Sequence, residues 1–178
     1  VYKRQALDST TGFQQLCYDF VGREEFGGNM GQSGFMNYFA GPLSAAKFHW
    51  PRFLDKIHDC TARGINVLLI AHSELAEQKN PLGPNYDAYT PFLEKRIWQE
   101  THRMAQFVLF YNYYIDVTTD RKDMKGKASG GEDRFLHTEY SAGWAAKNQM
   151  GLPSTIDAGS DGKEGWGNLI AAIEKAKS

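Results

Sequence analysis

Cysteine is scarce in this chain: Cys17 and Cys60 are the only two in 178 residues. Two thiols make no disulfide framework, and they suit a reducing cytosol. Long apolar runs are missing too. None is longer than Val67 to Ala71, far below the roughly 20 residues of a membrane-spanning helix. No leader pattern of basic, apolar and small-residue regions opens the chain. An excess of one charge is also lacking, since 20 basic and 21 acidic residues leave a formal charge of -1. General electrostatic attraction to nucleic acid is therefore excluded, and any such contact has to be local. His58 and Cys60 stand too close and lack partners for a zinc site. Around Ser73 the string Ala71-His72-Ser73-Glu74-Leu75 has neither glycine of the hydrolase elbow G-x-S-x-G. Internal repeats and heptads are absent.

What is present is globular. Hydrophobic residues make up 42% and charged residues 23%, the composition of one ordinary domain. The spacing of Phe13, Leu16, Cys17 and Phe20 predicts a helix from Thr11 to about Arg23. A glycine-rich stretch follows from Phe26 to Pro42, and Phe35, Tyr38 and Phe39 within it are expected to pack on the core. A DNA-facing loop is the weaker reading there, because no Lys or Arg lies between Phe26 and Gly41. Pro51 near its start and Gly64 past its end bound a second helix with Phe53, Ile57 and Cys60 on one face. Ile65 to Ala71 reads as a strand buried on both faces. Glu74 to Tyr89 reads as loop. Thr90-Pro91 is expected to open a helix whose buried stripe is Leu93, Ile97, Thr101 and Met104. Strands are expected at Gln106–Tyr111, Tyr113–Val117, Arg134–Tyr140 and Trp144–Asn148, with a charged hairpin tip over Thr118–Asp133. Tyr111, Tyr113 and Tyr114 read as strand faces. The expected fold class is α/β, with an antiparallel extension at the C-terminal side.

Three polar punctuations each follow an apolar strand: Asp8-Ser9, His72-Ser73 and Lys147-Asn148. In open α/β sheets ligands sit beyond the carboxyl ends of strands, so these residues are candidates for one site. A carboxylate there suits Mg²⁺ held through water, a histidine can donate to a phosphate oxygen, and a lysine can neutralise developing charge.

At these residues the chain resembles a known family. Leu7-Asp8-Ser9 followed by a helix is similar to the Walker B strand of RecA-type ATPases. Val67 to Ser73 is similar to the next strand, whose terminal polar residue senses the γ-phosphate. The segments Ile70–Glu74, Asn85–Thr90 and Ala145–Pro153 resemble, in order, the phage nucleotide-binding ATPases of the RecA-like P-loop superfamily. The resemblance covers roughly Asp8 to Pro153. It implies a RecA-like P-loop core with a mostly parallel sheet and antiparallel C-terminal strands. It further implies ATP and Mg²⁺ as cofactors, single-stranded DNA as partner, a homo-oligomer without membrane association, and a phage-encoded protein in the cytoplasm of a bacterial host. Asp8 would hold Mg²⁺ through water with Ser9 beside it. His72 would sense the γ-phosphate, and Lys147 would reach a neighbouring subunit's ATP. Lys79, in the position of a DNA-binding loop, would contact DNA, and Arg121 and Lys122 are further candidates for phosphate contact.

The chain departs from that family in one place. The phosphate-binding loop G-x-x-x-x-G-K-S/T is absent, and Gly126-Lys127 is followed by Ala128. Val1-Tyr2-Lys3-Arg4-Gln5 resembles the translation of a sequencing-adaptor end. The expectation is therefore an N-terminally truncated ATPase: residues 1–5 a scar, 6–153 a partial RecA-like domain lacking its P-loop unit, and 154–178 a linker and short helix. The intact protein would hydrolyse ATP in DNA recombination, and this piece alone would be inactive. The alternative is a non-catalytic DNA-binding or recombination-accessory module on the same scaffold.

Overall fold

The computed structural model describes residues 4–119 and 126–177. The chain is mixed α/β with small sheets, and it divides into two compact units. One comprises Val1–Ala76 and Tyr89–Ala105, the other Glu77–Ala88 and Gln106–Ser178.

In the first unit β1 (Arg4–Asp8) pairs in parallel with β2 (Asn66–Ile70), in register from Arg4↔Asn66 to Asp8↔Ile70. Arg4 and Gln5 are thus strand residues. Helix α1 (Thr10–Phe26) starts where the Ser9 Oγ accepts the Gly12 N–H at 3.1 Å and stops at Gly27, whose φ of 57° few other residues adopt readily. It extends the expected helix by one residue at the front and three at the back. A short 3₁₀ turn (Asn37–Phe39), α2 (Ala40–Ser44), a π turn (Ala45–His49) and α3 (Trp50–Ala62) follow without a break. Pro51 sits early in α3 and Gly64 lies just past its end at φ 77°, both as the sequence predicts.

The core of this unit is aromatic. Trp50, Ala46, Leu54 and Ile97 are buried together, with Phe13, Phe53 and Leu93 against them. The Trp50 indole N–H donates to Thr101 Oγ1 at 2.9 Å, and that hydroxyl in turn donates to the Ile97 carbonyl at 2.8 Å. A buried indole needs such a partner. A second cluster joins Val21, Phe35 and Ala45. Phe35 therefore packs as expected. Tyr38 and Phe39 do not: they are 95% and 65% exposed, with φ of 47° and 58°. The tight approach of Gly41 to the Phe35 ring fills the space beneath the loop with that one side chain.

Several sequence expectations are corrected here. The β2 run is apolar enough for burial on both faces, yet Leu68 and Ile70 are 42% and 40% exposed. Val67 and Leu69 are half-buried and alternate with exposed Asn66, Leu68 and Ile70, so one face of β2 is packed and the other is open. The stretch read as loop from Glu74 to Tyr89 forms β3 (Ser73–Gln78) and β4 (Tyr86–Pro91), paired as a two-stranded ribbon. Its alternating burial hides in a polar composition. Thr90-Pro91 ends β4 rather than opening a helix. Helix α4 (Lys95–Met104) starts later, because the Glu94 carboxylate accepts the Arg96 and Ile97 amides at 2.7 and 3.2 Å. The stripe of Ile97 and Thr101 is buried as expected.

In the second unit β5 (Phe107–Val108) pairs antiparallel with β8 (Lys147–Asn148). The strands β6 (Phe110–Thr119), β7 (Gly126–His137) and β9 (Thr155–Asp157) form an antiparallel sheet in the order β6-β7-β9. Strand β7 reaches well into the expected hairpin tip, and β9 lies in the stretch read as linker. Beyond His137 the expected strand gives way to a turn closed by a Ser141–Trp144 bridge. Helix α5 (Gly162–Lys175) is capped by Asp161, which accepts the Lys163 and Glu164 amides at 2.9 and 2.8 Å. Leu152, Ile156 and Leu169 form the core. A side chain at Gly165 would collide with the Ala158 carbonyl.

Glu25, at the end of α1, ties the π turn down. Its carboxylate accepts Ser44 Oγ at 2.5 Å and meets His49 Nε2 at 2.6 Å. The Ser44 bond, with His49 assisting, holds the Glu25 carboxyl below the usual carboxylate range. A depressed carboxyl stabilises the fold above its unfolded value, and that increment is lost as pH falls through the lowered folded value. The Ser44→Ala variant should therefore show a smaller loss of Tm between neutral pH and about pH 3 than the parent chain. Separately, Thr101→Val orphans the Trp50 indole. Urea unfolding should register a cost of about 1–3 kcal/mol.

Candidate functional site

The parallel register sets the site. Asp8 lies opposite Ile70, so Asp8-Ser9 and Ala71-His72 leave the sheet at the same carboxyl end. That is the edge where open α/β sheets receive ligands. The Asp8 carboxylate is exposed there, and the Asp8–Ser9 peptide bond is cis. Ser9 caps α1, and its hydroxyl keeps a proton to donate while its oxygen accepts the Gly12 amide.

Two residues join this end that the sequence reading passed over. Thr10 is fully buried at the first turn of α1, and the hydroxyls of Thr10 and Thr11 are shielded with no hydrogen-bond partner among the described residues. A buried hydroxyl without a partner is costly and calls for an explanation. The signal was visible as three consecutive hydroxyl residues directly after Asp8, but it also reads as an ordinary helix cap.

His72 is exposed at the end of β2, and its backbone carbonyl accepts the Phe92 N–H at 2.7 Å. The histidine thus stands where the chain leaves for the β3–β4 ribbon and where it returns toward α4. Asp8, Ser9 and His72 are brought to one edge by the first unit alone.

The remaining sequence candidates belong to the second unit. Lys147 is a half-buried residue of β8. Its neighbour Asn148 is structural: its side chain accepts the Met150 and Leu152 amides, each at 3.1 Å, and donates to the Leu152 carbonyl at 2.8 Å. Lys79 is exposed at the turn of the ribbon, which Asn80 and Asn85 close with side-chain bonds to backbone amides. Arg121 and Lys122 lie outside the described residues.

Among the described residues no three of His, Cys, Asp or Glu gather as a ready-made metal cage. The donors at the strand ends are one carboxylate and hydroxyl oxygens. That set fits Mg²⁺, a hard cation that is usually held by one or two carboxylates with water and phosphate oxygens completing its shell. It does not fit zinc, which takes nitrogen and sulfur ligands.

A family model described as an AAA domain matches residues 1–150. No curated protein matches the chain, and no solved structure does. If the strand-end carboxylate belongs to a ligand site rather than to the fold, Asp8→Asn should leave the stability within roughly 0.5 kcal/mol of the parent's. Thermal melting of the two chains checks this, and a large loss would assign Asp8 to structure.

Proposed function

The chain belongs to the AAA-domain family, and from that premise we propose that it is the Walker B and sensor half of a RecA-like, phage-type ATPase acting on single-stranded DNA. The family membership carries nucleotide-binding, ATPase-type chemistry. The finer reading is supported by the parallel register that sets Asp8 and His72 at one sheet edge.

In this reading Asp8 holds Mg²⁺ through water, and Ser9 contributes a hydroxyl beside it. Bound Mg²⁺ supplies charge neutralisation on the phosphate oxygens. The unpartnered hydroxyls of Thr10 and Thr11 lie shielded just behind Asp8 and Ser9 at the first turn of α1. His72 donates a hydrogen bond to the γ-phosphate. Its carbonyl is tied to Phe92, so a shift of His72 on hydrolysis is felt by the backbone at the base of the ribbon. Lys147 adds positive charge to the ATP of a neighbouring subunit in a homo-oligomer. Lys79, at the ribbon turn, faces DNA.

The loop that grips the phosphates is not among these 178 residues. The reading therefore requires that loop from sequence outside them. The same observation favours one competing reading, a non-catalytic DNA-binding or recombination-accessory module on this scaffold.

Calorimetry with Mg²⁺ and ATP should show no measurable binding to these residues alone, since the phosphate cradle is missing. A longer form carrying a phosphate-binding loop should hydrolyse ATP. In it Asp8→Asn and His72→Ala should each lower kcat, by roughly 100-fold where the group stabilises transition-state charge. Unchanged kcat in both variants would overturn the roles given to Asp8 and His72, and no hydrolysis by the longer form would leave the accessory module as the better reading.

A further inference from the structure

The strand pair β6–β7 carries a surface that the ATPase chemistry does not use. Tyr113 lies directly opposite Arg134, and Tyr111 lies opposite Leu136. Side chains at these alternating positions share one face of the pair. Tyr111 and Tyr113 are 51% and 45% exposed. The Arg134 guanidinium lies over the Tyr113 ring, 5.1 Å from its centroid. Tyr114 turns elsewhere and meets Phe135 edge-on.

Beside this face the register slips between Tyr113 and Ile115. Gly130 and Gly131 sit there at φ of 101° and 99°. A side chain at Gly130 would come within 2.7 Å of the Tyr114 carbonyl oxygen, so that wall stays bare backbone. The result is an open cavity of about 370 Å³ lined by Tyr113, Ile115, Ser129, Gly130, Gly131 and Arg134. Its size lies within the range of small-ligand sites.

Arg134 is the second, independent observation. No carboxylate pairs with it among the described residues, and its Nε is shielded from solvent with no hydrogen-bond partner. The Tyr111 and Tyr113 hydroxyls also engage the guanidinium, so a planar cation is held against two tyrosines beside a bare glycine wall, an arrangement suited to a flat aromatic ligand that carries acceptor oxygens.

We propose that the β6–β7 face bearing Tyr111, Tyr113 and Arg134 is a stacking surface for single-stranded nucleic acid. Bases lie on the tyrosine rings, and Arg134 donates to a base or phosphate oxygen. The proposal rests on the reading above that the protein handles single strands, and it names where. Duplex bases are already stacked on one another and offer no free faces, so an unpaired strand is the ligand. Asp116, Glu132 and Asp133 flank Arg134 in the sequence of the two strands. Positive charge is therefore not in excess here. Stacking carries the affinity, and salt weakens it less than it weakens phosphate-led binding.

Fluorescence anisotropy of the full chain with labelled oligothymidylate, against an abasic strand of equal length, tests this. The abasic strand should bind more weakly. Tyr113→Ala should weaken oligothymidylate binding by roughly 5- to 150-fold, the worth of one stacked base. Tyr113→Phe should retain binding, and Arg134→Lys should lose part of it. If Tyr113→Ala fails to fold, photocrosslinking of a bromodeoxyuridine strand to the parent chain decides. Crosslinks within Phe110–Thr119 support the surface, and crosslinks confined to residues 79–89 overturn it. Parent binding with unaffected Tyr113→Ala and Arg134→Lys variants overturns this surface alone and leaves single-strand handling standing. No binding of either strand by the parent chain overturns both.

Discussion

The register between two parallel strands governs the site end of this protein. Pairing from Arg4↔Asn66 to Asp8↔Ile70 makes Asp8 and His72 neighbours along one edge although they lie far apart in sequence. A slip of one residue would turn every side chain of β1 to the opposite face and move Asp8 off the edge. The helices hold that register. Ser9 starts α1 immediately after β1, and α3 ends shortly before β2. Both helices bury residues in the same aromatic cluster around Trp50. The polar residues at the strand ends are thus anchored by a hydrophobic core that contains none of them.

Hydrogen bonds finish what hydrophobic burial begins. The Trp50–Thr101–Ile97 relay fixes α3 against α4 inside the core. Glu25 performs a similar task at the surface, where it binds Ser44 and His49 at once. In the second unit Asn148 closes the turn to Leu152 with three bonds from one amide group. Each case satisfies backbone or side-chain donors at a place where the chain reverses or packs closely. The hydroxyls of Thr10 and Thr11 stand apart from this economy. Their lack of partners falls beside the one carboxylate of the strand-end site.

The two surfaces proposed here differ in chemistry. The strand ends offer oxygen donors and a histidine, a set for metal-bound phosphate. The β6–β7 face offers rings, bare backbone and one arginine, a set for bases. The wall of Gly130 and Gly131 stays bare because positive φ at both positions excludes most side chains.

Much was legible in the sequence wherever a local rule ruled. Helices α1 and α3 follow from apolar spacing and from Ser9, Pro51 and Gly64, whose preferences act within a few residues. The strand-end positions of Asp8 and His72 follow from the polar residues that close apolar runs. Tertiary structure alone decided the rest. The exposure of Leu68 and Ile70 depends on what packs over their face of β2, which no residue of β2 encodes. The β3–β4 ribbon draws its stability from pairing between two polar segments that each read as loop. Phe35 is buried while Tyr38 and Phe39 are not, because Gly41 admits one ring beneath the loop. Tyr113 and Arg134 meet only through cross-strand register. Composition and spacing report on neighbours in the chain, whereas register and burial are set by segments that are distant in it.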